Sequence, residues 1–130
     1  MKKLLFLAVA FFSIQLISAQ DLAQTTAEDN IVYTKTEVSP DFPGGMKEFY
    51  NYIASNYKVP VKAPAGKVIV LFVIERDGSL TDIKVARDVG YGSAEEAVRV
   101  LKESPKWLPG TQNGKPVRCR RVLPIAIPSQ

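Results

Sequence analysis

The run KVIVLFVIE, from Lys67 to Glu75, limits the possible folds more than any other stretch of this chain. It is apolar without alternation and rich in β-branched residues, so a segment this short suits a central strand covered on both sides. Asp77-Gly78 follows at once and signals a hairpin, because glycine accepts the positive φ of a tight primed turn. Leu80 to Arg87 then reads as the partner strand, with Ile83 and Val85 on one face and Asp82 and Lys84 on the other.

The covering elements can be read on either side of that pair. SPDFPGG breaks the chain, and Gly44-Gly45 serve as turn and helix-entry residues. Met46, Phe49, Tyr50, Ile53 and Tyr57 then recur with the spacing of one helical stripe, flanked by Tyr52 and ended by Pro60 and Pro64. A second helix begins at SAEE, where Ser93 and Glu96 have capping-box spacing. Ala94, Ala97, Val98 and Leu101 form its buried stripe, and Pro105 sets its limit. From Ser104 to Val117 the chain reads SPKWLPGTQNGKPV, a shaped loop by its prolines and glycines. Its Trp107 is expected to plug the core beneath the second helix.

Val117 to Ile127 reads as a third strand. Val117, Cys119, Leu123, Ile125 and Ile127 share one face, interrupted by Arg121, while Arg118 and Arg120 occupy the other. Cys119 is then a small core residue. Pro124 lacks a ladder donor, which marks an edge strand. Placing this strand beside Lys67–Glu75 makes the pair antiparallel and keeps the all-apolar strand central. The expected fold is therefore α+β: a small antiparallel three-stranded sheet with two helices on one face. Its order is Leu80–Arg87, Lys67–Glu75, Val117–Ile127, which leaves the last strand as an open edge. Weak alternation over Ile31–Val38 suggests an extra N-terminal strand, tethered close enough to occupy that edge as a placeholder.

Composition narrows the function. MKKLLFLAVAFFSIQLISAQ has a basic start, an apolar stretch and a processing site after Ala19, the pattern of a signal peptide over residues 1–19. A polar, flexible leader over residues 20–39 and a domain over residues 40–130 follow, and the signal implies export, with an inner-membrane tether if residues 1–20 are not cleaved. Without Lys2 and Lys3 the formal charge of +4 becomes +2, which gives little support to nucleic-acid binding. One cysteine and no histidine leave no internal disulfide, no metal-ligand cluster and no acid–base pair. The expectation is a binding module, with no enzyme activity, no cofactor and no small-molecule substrate.

The ordered set PDFPGG, GKVIVLFVIERDGSLTDIKV, EEAVRVLKESPKWLPGTQNGKPV and LPIAI resembles the TonB C-terminal domain over about Pro40 to Ile127. The resemblance implies a periplasmic domain that grips an extended segment of an outer-membrane transporter and passes on energy from an inner-membrane motor. It also implies that the grip is β-augmentation on the last strand, with partner-binding residues Val117, Arg118, Arg120, Val122, Pro124 and Ala126. The chain departs from the family pattern in three places. No long proline-rich spacer precedes the domain, Val59 stands where a tyrosine is usual before Pro60, and Ile127 where a phenylalanine is usual. An exported assembly protein that uses the same edge without transducing energy, including a homodimer, is the alternative reading.

Overall fold

The apolar run takes the interior position of the sheet, but the sheet around it is larger than three strands. The computed structural model describes residues 30–130, so the signal segment and the first part of the leader lie outside the described residues. In chain order the elements are β1 (Val32–Tyr33), α1 (Met46–Asn56), β2 (Gly66–Ile74), β3 (Leu80–Arg87), α2 (Ser93–Lys102), β4 (Gly110–Gln112) and β5 (Lys115–Ile127).

The expected antiparallel three-stranded sheet is corrected to a mixed one of five strands, in the order β1-β5-β2-β3, with β4 attached to the start of β5. β2 pairs antiparallel with β5 from Gly66↔Ile127 to Ile74↔Cys119, and with β3 on its other side. β1 adds a parallel pair, Val32↔Arg118 and Tyr33↔Cys119. Only two residues of the weakly alternating Ile31–Val38 stretch form a strand, and Val38 adds a single antiparallel bridge to Thr111 of β4, as its low β-character allows.

Two turns differ from the sequence reading for one reason. At Asp77-Gly78 only the glycine has positive φ, at 88°. Gly78 N–H bonds the Glu75 carbonyl at 2.9 Å, and Glu75 N–H bonds the Ser79 carbonyl at 2.8 Å. That is a type I turn followed by a left-handed glycine, not a primed turn. The primed turn lies instead at Asn113-Gly114, with φ of 53° and 75°. It closes a hairpin between β4 and β5 at Gln112↔Lys115, inside the stretch expected to be loop throughout. Aspartate can stay right-handed when the next residue absorbs the turn, so the dipeptide alone does not fix the turn type.

Both helices pack on one face of the sheet. Phe49 and Ile53 from α1 and Ala97, Val100 and Leu101 from α2 meet Val68, Val70, Phe72 and Ile74 from β2 and Leu123, Ile125 and Ile127 from β5. Val100, outside the expected stripe, is fully buried, whereas Ala94 and Val98 are half-buried. Gly92, not a serine side chain, occupies the N-cap of α2, so the capping box does not form. Ser93 lies one residue inside the helix, where its Oγ accepts the Val89 N–H at 3.2 Å. The other face of β2 has the expected second cover only at one end: Val73 is 1% exposed, whereas Ile69 and Leu71 are half-buried and lie outside the core cluster.

Trp107 is 2% exposed, with ring centroids 5.5, 5.2 and 5.4 Å from Phe42, Phe49 and Phe72. Its main chain docks on the β2–β3 turn, donating to the Gly78 carbonyl at 2.8 Å. A Cβ on Gly78 would stand 2.0 Å from the Trp107 carbonyl oxygen, so this contact requires glycine. The stiff loop therefore delivers an aromatic plug and locks it to the hairpin.

Candidate partner-binding edge

Pro124 reveals how β5 presents its main chain. It sits inside the ladder with β2 at Ile69↔Pro124, and the register runs through it unbroken. Its missing donor must therefore fall on the side away from β2. Alternation along a strand turns the main-chain groups of Arg118, Arg120, Val122 and Ala126 to that same outer side.

The edge expected to be open is partly taken, and by the stretch expected as its placeholder: β1 lies against β5 at Arg118 and Cys119. Beyond Cys119, no strand among the described residues pairs with that outer side. The six residues expected to bind a partner are thus divided. Val117 is already laddered to Gly110, and Arg118 to Val32. Arg120, Val122, Pro124 and Ala126 lie together, exposed, along the remaining edge.

Side-chain electrostatics divide the arginines in the same way. Arg118 makes a two-pronged bond to Glu75, Nε to Oε1 at 2.8 Å and Nη2 to Oε2 at 3.1 Å. Those bonds hold the Glu75 carboxyl below the ordinary carboxylate range, against the opposing effect of burial, and Thr81 adds a further hydrogen bond. Arg120 meets Asp82 at 3.8 Å, and its side chain is 45% exposed. Asp82 keeps Lys84 at 3.5 Å as a second partner, so Arg120 can turn outward without leaving that carboxylate alone.

Two contributors escaped the sequence reading. Arg121, the charge that interrupts the inner face, donates to the Pro40 carbonyl at 3.1 Å and so pins the incoming segment over β5. A lone arginine among core positions was the available signal, since a cation there needs an acceptor. Tyr50, placed in the buried stripe by periodicity, is 42% exposed and stands at the flank of α1 facing β5. Cys119 is buried as expected, and burial raises its thiol pKa despite the nearby Arg121.

Among the described residues no group of histidine, cysteine, aspartate or glutamate has the arrangement of a metal site, and no helix is long and apolar enough to cross a membrane. The family model for the Gram-negative bacterial TonB protein C-terminal matches residues 62–126, half of the chain, from just after α1 to nearly the end of β5. No curated protein and no solved structure matches the chain.

Proposed function

We propose that this chain, which belongs to the TonB C-terminal domain family, holds an extended segment of a TonB-dependent outer-membrane transporter against β5. The family is a non-catalytic interaction module. In this reading the domain faces the periplasm and links the transporter to energy supplied from the inner membrane. The observation that carries it is the outer edge of β5 from Arg120 to Ala126, whose main-chain groups have no strand partner among the described residues. Such an edge gives affinity through main-chain hydrogen bonds and needs no reactive side chain.

The test uses the same geometry. Val122 has the outward parity of Pro124, so Val122→Pro removes a donor from the edge while sparing the ladder to β2. NMR titration with an extended transporter-derived peptide should shift resonances along Arg120–Ile127 in the unaltered chain and none in the variant. The variant's spectrum should otherwise stay native-like. Shifts gathered on the two helices would defeat the edge mechanism. Dilution-dependent shifts along β5 without peptide would instead favour the homodimer.

A further inference from the structure

Beside the free part of β5 lies a groove of about 360 Å³ that the main-chain reading of the edge does not use. Tyr50, Ile53 and Ala54 of α1 form one wall, Pro124, Ile125 and Ala126 of β5 form the other, and Lys67 of β2 lines one end. Most of that surface is carbon. Alone, such a groove would say little about its occupant. This one is bounded along its length by main-chain groups directed outward, and only another extended chain satisfies those at strand spacing.

We infer that the groove is a side-chain subsite, and that the segment bound along β5 carries a large aliphatic residue opposite Ile125 and an acidic residue opposite Arg120. The inference rests on the edge reading above and adds to it the chemistry of the partner. A strand laid along β5 runs about 4.8 Å from it and alternates its side chains between the two faces. The residue opposite Ile125 shares the helix-side face and enters the groove between Tyr50 and Ala54. The residue opposite Arg120 falls on the other face, where the half-exposed guanidinium is held loosely by Asp82 at 3.8 Å. Ile125 and Arg120 are five residues apart, an odd separation, so the two partner residues point to opposite faces whichever way the segment runs. Leucine or isoleucine, then a carboxylate five positions away in either direction, is the pattern this surface reads.

The experiment takes the full chain and short synthetic peptides of serine and threonine bearing one leucine and, five residues away, one glutamate. Calorimetry and NMR titration should show Leu→Ala in the peptide weakening binding about tenfold, from lost apolar burial. Glu→Lys should weaken it at low salt, with the effect fading as salt screens the pair. Ala54→Leu in the protein fills the groove with a good helix former on an exposed helix position, so the fold is retained. That variant should bind leucine and alanine peptides alike, with shifts still along β5. If the unaltered chain binds both peptides equally with shifts on Arg120–Ala126, the subsite is overturned and the edge reading stands. If no peptide shifts that segment, or a second copy of the chain occupies it on concentration, both readings fall.

Discussion

Trp107 concentrates the stability of the domain in one side chain. Its indole touches three phenylalanine rings, from the segment before α1, from α1 and from β2, and its Nε1 donates to Ser104 Oγ at 3.1 Å. Among the described residues, no other ties those elements together through rings alone. Trp107→Ala should therefore cost about 3–5 kcal/mol, a large share of what a small domain holds. Denaturant unfolding would measure this, and a midpoint unchanged from the unaltered chain would contradict the packing described. Trp107→Phe should recover part of the loss, because the ring contacts persist while the hydrogen bond to Ser104 does not.

At the scale of elements, β1 is the weak member of the sheet. Two residues of ladder offer few hydrogen bonds, and Val32 and Tyr33 are only half-buried. It nevertheless shares an edge with the free part of β5, so a segment extending past Arg120 toward Arg118 must displace it. Replacing Val32 and Tyr33 together by proline removes both donors and should raise peptide affinity several-fold, while β2, β3 and β5 stay intact. Equal affinity in the two proteins, by the same titration, would show that the bound segment stops short of Arg118. The sequence made the main elements legible because they are periodic and strongly bounded. α1, β2, β3, α2 and most of β5 follow from apolar spacing, glycine and proline, and the family resemblance rests on the same marks. It hid what depends on pairing at a distance: β1 has almost no pattern of its own, and β4 sits among residues that look like loop until Asn113-Gly114 folds them back. The groove was invisible for a related reason. Helical periodicity cannot say whether Tyr50 turns inward or stands at the margin, since that depends on how α1 crosses β5.

For the whole molecule, one carboxylate and one phenol illustrate how stability changes at the two ends of the pH range. Glu75 has its pKa lowered, first by hydrogen bonds from Arg118. A depressed carboxylate stabilises the fold above its unfolded pKa, and that contribution is lost as pH falls through the folded value. Glu75→Gln should thus cost about 1 kcal/mol at neutral pH and progressively less below the ordinary carboxylate range. Tyr57 acts at the other extreme. Burial first, then the carboxylates of Glu96, Asp88 and Glu95, push its phenol up to about 12, and its hydroxyl donates to the Ser93 carbonyl at 2.9 Å. A raised phenol stabilises the fold fully below its unfolded pKa near 10, and that contribution is lost as pH climbs from there through 12. Melting curves across pH should show the acid-side loss reduced in Glu75→Gln and the alkaline-side loss reduced in Tyr57→Phe. Parallel curves for all three proteins would refute both assignments.

The ladder between β2 and β5 also orders events in time. β2 and β3 meet through a turn of a few residues, whereas β5 reaches β2 only after α2 and the tryptophan loop have been traversed, and β1 pairs with β5 across nearly the whole domain. Closing longer loops costs more chain entropy and delays contact, so the hairpin nucleates first, β5 zips onto it later, and β1 docks last. During folding there is thus an interval in which β5's outer side is bare from Arg118 onward, past the short hairpin with β4. A newly made chain is most receptive to a stranger's strand before its own first strand arrives.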